Sequence, residues 1–423
     1  MTKETISGKK QNDQGQNAGQ STPVLQVSKP ERNGLPGFPG KLYIGILLFT
    51  VLLNGFSWSS TVFCDNYVRY VFPLWVNTYG RFSGAFPFSV GEILIFAGLV
   101  LVFLVPVGCV LRLIARIRHS GKYAVFFRRF MIFFAWVLLI VALIMTLNCF
   151  LLYHTTSFSE KYLGGGVEES PEDFLRLRNK VAERCHALSA QMERDERGYI
   201  VYSGSMSENG EPLDMQDKAR EEMRRLGERY PQLAGYYPRP KAMLTSDFLC
   251  QQYTLGWYFP FSMEANYNDV AYVMNLPSTM CHELAHLKGF IYEDEANFIG
   301  YLACIRSEDP YFQYSGYLSV LGYLERDLEK LRQQAPAAYE RAVEQEGLAE
   351  IPEIVYKDDI FVTKEEWDRI EAKALFRTET VSKATDTFVD TTLKVNGVAD
   401  GKVSYSRVVK LMLEYEALEE KAE

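Results

Sequence analysis

The chain has 423 residues, a formal net charge of −8, 48% hydrophobic residues, seven cysteines and only five histidines. That length allows more than one domain, and the acidic balance is the wrong sign for a nucleic-acid-binding surface. The cysteines form no C-x-x-C, so no zinc ribbon or dithiol redox motif is present.

Residues 1–40, rich in Gln, Asn, Gly, Ser and Pro, read as a disordered cytoplasmic tail. The next 114 residues, 41–154, hold three nearly uncharged runs, at about 42–60, 92–112 and 130–153. Each is apolar all round and close to the roughly twenty residues that a helix needs to cross a bilayer. They predict a membrane domain of three transmembrane helices, with Pro106 a tolerable kink in the second. The first run starts after some forty polar residues, which does not fit a cleaved signal peptide.

Between the second and third runs lie Arg112, Arg116, Arg118, Lys122, Arg128 and Arg129, a basic connector expected on the cytoplasmic side. The loop from Ser59 to Phe88 is then outside, and so is the whole of 155–423. That loop is rich in aromatics, including Tyr67, Tyr70, Trp75 and Phe82, which predicts short interfacial helices.

Past the third run, Gly164-Gly165-Gly166 reads as a joint, and Ser170-Pro171-Glu172-Asp173 as a capped helix start running towards Glu193. A second helical pattern covers Pro212 to Gly227. Met243 to Asn275, with its aromatics, β-branched residues and turns, is the most strand-like stretch. A helix opened by Pro277, with Ser278 or Thr279 as its cap, should end at Gly289. Further helices are expected over Glu293 to Arg306, Tyr317 to Gln333, Lys364 to Ala374 and Tyr405 to Leu418, with a turn at Asn396 to Gly401. Cys185, Cys250, Cys281 and Cys304 fall in this exterior part and are available for pairing, although Cys281 reads as a buried thiol.

The chemistry is concentrated in Cys281-His282-Glu283-Leu284-Ala285-His286. Histidines four apart on a helix share a face, so both imidazoles reach one Zn²⁺, and Glu283 is placed as general base toward an attacking water. A hydrolytic zinc site needs a third ligand. On an unbroken helix Glu293 lies about 10 Å further along the axis, at about 1.5 Å per residue, so the chain must reverse at Gly289. Glu293 is the expected third ligand, with Glu295 the alternative, and Asn297 shares the Glu293 face and supports a ligand by hydrogen bonding. An oxyanion donor is also required; Tyr301, Arg306 and Tyr311 are candidates, and Tyr258 to Asn268 is expected near the cleft.

H-E-x-x-H followed by Glu293-Asp294-Glu295-Ala296-Asn297 resembles the gluzincin metallopeptidases, whose E-x-x-A-D glutamate is the third zinc ligand, although the spacer here is much shorter. Gly289 also matches a metzincin-like pattern, but Tyr292 stands where its third histidine would be. Over nearly the whole chain, the three runs, Gly256-Trp257-Tyr258-Phe259-Pro260-Phe261 with Glu264-Ala265-Asn266, and the motif segment resemble the bacterial domain-of-unknown-function family 3810. The resemblance implies a multi-pass bacterial cell-membrane protein: an α-helical membrane region followed by a mostly α, α+β extracytoplasmic zincin-like domain. The expected activity is zinc-dependent hydrolysis of a peptide or protein substrate at the lipid bilayer, without nucleic acid. The alternative is a non-catalytic zinc-binding sensor or signalling protein.

Overall fold

A computed structural model of the chain describes residues 40–118, 121–166, 170–207, 209–395 and 407–421. The expected N-terminal tail and the turn at Asn396 to Gly401 lie outside the described residues.

The three apolar runs form α1 (Gly40–Ser59), then, after the short helices α2 (Thr61–Tyr70), α3 (Phe72–Trp75) and α4 (Arg81–Gly84), α5 (Val90–Ile117) and α6 (Gly121–Asn148). All three are long and apolar enough to cross a membrane, and their side chains are largely exposed, as expected of helices solvated by lipid instead of protein. This identifies the chain as a membrane protein. α6 starts at Gly121, well before the apolar run at 130–153, because Lys122, Arg128 and Arg129 are good helix formers that hydropathy alone does not count.

The rest of the chain is mostly helical. Ser170 caps α7 (Pro171–Ser189) by accepting from the Asp173 N–H. After a two-stranded ribbon, β1 (Ser205–Met206) and β2 (Pro212–Leu213), comes α8 (Met215–Arg229), so the helix expected from Pro212 starts three residues later. Its start is set by Asp214, whose carboxylate accepts from the Asp217 N–H.

The strand-like stretch is only partly sheet. It contains α9 (Ser246–Gln251), β4 (Gly256–Phe259) and β5 (Glu264–Tyr267), with β3 (Lys241–Ala242) just before it. The order is β3-β5-β4, parallel between β3 and β5 and antiparallel between β4 and β5, with Trp257 opposite Asn266. Next come α10 (Leu276–His286), α11 (Glu293–Ile305), α12 (Pro310–Gln334), α13 (Pro336–Glu346), α14 (Glu353–Asp358), α15 (Lys364–Lys373), α16 (Thr378–Val395) and α17 (Arg407–Glu420). Neither Ser278 nor Thr279 caps α10. The helix begins a turn earlier at Leu276, with Pro277 in its first turn and the Ser278 hydroxyl donating to the Asn275 carbonyl within the helix. α12 is likewise longer than its expected Tyr317 start, opened by Asp309 accepting from the Tyr311 N–H.

The main core gathers Leu175, Val181, Met223, Leu284, Phe298, Leu302, Phe312, Leu321 and Met412 from α7, α8, α10, α11, α12 and α17, all fully or almost fully buried. Each of the seven cysteines is a free thiol, so Cys185, Cys250, Cys281 and Cys304 do not pair; Cys281 and Cys304 are core residues. The sheet is fastened to the membrane-length helices. Glu264 accepts from the Val90 and Gly91 N–H groups at 3.2 and 2.8 Å, meeting unpaired donors at the N-terminus of α5. Lys241 Nζ lies 2.5 Å from the same carboxylate and donates to the Ser83 and Phe88 carbonyls. At the end of α6, Asn148 donates to the Pro260 carbonyl and accepts from the Tyr258 hydroxyl through its own carbonyl.

Candidate functional site

α10 ends at His286, and Gly289 then adopts φ +89°, a conformation that side-chain-bearing residues rarely take. The reversal occupies only Leu287 to Tyr292, and α11 starts at Glu293. The short spacer is therefore sufficient, since the turn itself becomes part of the site. His286 Nδ1 lies 2.7 Å from the Phe290 carbonyl inside it.

The two helices cross closely because Gly300 of α11 faces the α10 backbone. A Cβ at Gly300 would sit 2.9 Å from the Ser278 carbonyl oxygen and 3.2 Å from His282 N. That approach brings Glu293 Oε2 to 3.2 Å from His282 Nε2 and Oε1 to 3.9 Å from His286 Nε2, with the two Nε2 atoms 3.1 Å apart. One donor atom from each of His282, His286 and Glu293 falls within 4.8 Å of the others.

Both imidazoles are oriented from behind. His282 Nδ1 is 2.9 Å from Asn297 Oδ1, and His286 Nδ1 faces a carbonyl, so each ring donates from Nδ1 and turns Nε2 toward Glu293. Asn297 in turn donates to the Tyr323 hydroxyl of α12. Glu295, the alternative ligand, points away: its Oε1 accepts from the Phe158 N–H at 2.5 Å, and burial pushes its carboxyl up to about 8. Consecutive odd positions on a helix are about 200° apart, which is why 293 and 295 cannot serve the same point.

Glu283 is buried beside the cluster. Its Oε1 lies 4.0 Å from His282 Nε2, and its Oε2 has no hydrogen-bond partner. β4 lies directly over it, and a Cβ at Gly256 would fall 2.6 Å from Glu283 Oε1. The Tyr258 ring, two residues on, packs against His286 with centroids 5.8 Å apart.

The electrostatics follow from burial and charge. Burial pushes the Glu283 carboxyl up to about 8 against the pull of His282. Burial also works against charge on His282, yet the adjacent Glu293 carboxylate carries it up to about 9. Burial and the neighbouring His282 charge push His286 down to about 4. Glu293, despite burial, is held at about 2 by the two histidines. Two nitrogens and a carboxylate oxygen converging on one point, beside a buried carboxylate with one orphan oxygen, form a donor set that suits a small divalent cation.

The candidate oxyanion donors are elsewhere. Tyr301 is buried in the core between Phe298 and Tyr317, Arg306 donates to Tyr415, and the Tyr311 hydroxyl donates to the Val201 carbonyl. Their order in sequence after the motif is no guide, because α11 carries Tyr301 and, at its C-terminal end, Arg306, and α12 carries Tyr311, into contacts away from the cluster. The residues that do line it, Gly256, Tyr258 and Tyr323, come from β4 and α12. An isolated glycine opening a strand is a recognisable signal of close backbone approach, whereas nothing local marks Tyr323.

Fold and site define a class: a mostly helical membrane protein that gathers a His-His-Glu cluster between two helices and a small sheet. Residues 67–413 match the family model described as "Protein of unknown function (DUF3810)", and the chain belongs to that family. No curated protein and no solved structure matches it.

Proposed function

We propose that this protein is a membrane-anchored zinc-dependent metallopeptidase with a gluzincin-like site and a zincin-like domain on the extracytoplasmic side. The observation that carries the reading is Glu283, a buried carboxylate with an orphan oxygen next to three convergent ligand atoms. A purely structural metal site has no use for such a group, which favours catalysis over the non-catalytic sensor reading.

In this reading His282 Nε2, His286 Nε2 and a Glu293 oxygen hold the ion, which when bound supplies Lewis acidity toward a water and a scissile carbonyl. Asn297 and the Phe290 carbonyl keep both rings in the ligating tautomer. Glu283 takes a proton from the attacking water and returns it to the leaving amine. β4 packs against Glu283 at Gly256, and the carboxylate is almost fully buried there. The basic connector between α5 and α6 supports an extracytoplasmic position for the domain.

The test is metal content and turnover together. Purified protein should hold about one Zn²⁺ per chain, His282→Ala with His286→Ala should lose it, and Glu283→Gln should keep it while losing hydrolysis of a peptide library. Equal turnover by wild type and Glu283→Gln refutes the catalytic reading. Full zinc content in the double histidine variant refutes the site.

A further inference from the structure

The turn between α15 and α16 reads Lys373-Ala374-Leu375-Phe376-Arg377, and its two apolar side chains point away from the protein. Leu375 is 92% exposed and Phe376 is 66% exposed. An aliphatic and an aromatic side chain at the tip of a helical hairpin are costly to leave in water, and a merely loose loop would show no reason for holding them there.

This turn is not loose. Gln251 Nε2 of α9 donates to the Phe376 carbonyl at 2.9 Å and to the Thr378 hydroxyl at 3.3 Å. On one side Arg369 makes a two-pronged pair with Asp247, at 2.6 and 2.8 Å; on the other Gln252 donates to Thr385. The backbone is thus clamped to α9 from both flanks while the side chains are left outside.

α9 is itself fixed to the first turn of α5, the second membrane-length helix. The Glu92 carboxylate accepts from the Leu244 and Thr245 N–H groups and from the Thr245 hydroxyl, at 2.9, 2.8 and 2.5 Å. Behind it Ile95 packs with Met243, Leu249 and Phe259. Two apolar residues of this junction also face outward: Leu244 is 82% exposed, and Phe248 is exposed as well. Immediately along α5, Ile93, Leu94 and Phe96 are exposed on the surface of a membrane-length helix. Leu375, Phe376, Phe248 and Leu244 therefore continue the lipid-facing surface of α5 onto the domain, and Lys373 and Arg377 flank the tip where long cationic side chains reach phosphate headgroups.

We infer that the Leu375–Phe376 turn is a membrane-dipping anchor, inserted among the lipids of the leaflet at the N-terminal end of α5. It seats α9 and the β3-β5-β4 sheet on the bilayer surface. The inference uses only the membrane-length helices and this surface, and holds whether or not the His-His-Glu cluster is catalytic.

The experiment uses the full chain in lipid nanodiscs, with Cys109→Ser removing the exposed thiol in α5. Leu375→Cys is labelled with an environment-sensitive fluorophore, at a position so exposed that folding is unaffected, as circular dichroism matching the parent checks. Insertion to roughly 5–10 Å, the depth of interfacial segments, predicts blue-shifted emission that is protected from aqueous iodide. Lipids carrying a nitroxide near the top of the acyl chain should remove most of that emission, and lipids carrying it at the chain end should remove less. Emission typical of water, quenched by iodide and indifferent to nitroxide lipids, overturns the proposal. Protection from both quenchers overturns it too, since a protein surface would then cover the turn.

Discussion

Gly300 and Gly322 offer a paired test of what holds together the two helices that carry the His-His-Glu cluster. Both are glycines inside helices, in α11 and α12, and on propensity alone replacing either by alanine should stabilise the protein by roughly 0.5–1 kcal/mol. Their surroundings differ. A Cβ at Gly322 meets nothing within 4 Å, whereas one at Gly300 sits 2.9 Å from the Ser278 carbonyl oxygen, a backbone atom that cannot rotate away. To restore an ordinary 3.4 Å contact, α10 must withdraw by about 0.5 Å. Overpacking of this kind costs about 1–3 kcal/mol, which exceeds the propensity gain, so Gly300→Ala should be destabilised by up to about 2 kcal/mol. The same displacement separates His282 from Glu293 and Asn297, so zinc affinity should fall about tenfold, comparable to losing a supporting hydrogen bond. Denaturant unfolding in nanodiscs and zinc competition with a chelator measure both effects. If Gly300→Ala is as stable as Gly322→Ala and binds zinc equally well, the close crossing does not set the site.

Asn297→Ala should leave the fold intact and weaken zinc binding about 10- to 100-fold, read in the same chelator competition, because His282 loses the group that fixes its tautomer. Gly256→Ala should retain the metal yet slow hydrolysis about 100-fold or more, since the new methyl displaces Glu283; kinetics beside metal analysis would distinguish this from simple unfolding. Lys241→Met removes one partner of a buried ion pair and should cost about 3–5 kcal/mol in denaturant unfolding, leaving Glu264 facing only the α5 N-terminus. Asp65 gives a pH signature. Against the cost of burial, the Thr156 hydroxyl and N–H and the Lys161 ammonium hold its carboxyl below the usual value. A folded pKa below the unfolded one stabilises the protein above the unfolded value of about 3.9, and the benefit is lost as pH falls through the folded one. The stability difference between wild type and Asp65→Asn should accordingly be constant near neutrality and shrink in acid; a difference that grows in acid would contradict this assignment.

Patterns that repeat along one element were legible in the sequence. Membrane-length helices declare themselves by uninterrupted apolar residues, because lipid solvates every face and no stripe is needed. Helix starts at Ser170 and the turn at Gly289 follow from local hydrogen-bonding and backbone rules, and the shared face of His282 and His286 follows from helical periodicity. So does the preference for Glu293 over Glu295, once the reversal is granted.

What the tertiary structure decided are the relations between elements that no local rule encodes. The crossing of α10 and α11 depends on Gly300 meeting Ser278, and the cover over Glu283 on a bare Gly256 in β4. The fastening of this region to α5 depends on the carboxylates of Glu92 and Glu264, each more than 150 residues from the backbone N–H groups it binds. Long-range packing chooses among partners that are equally good locally, which is why the residues of the His-His-Glu cluster could be read from spacing, while the groups that orient them, cover them and seat them against the membrane helices emerged only when the chain was folded.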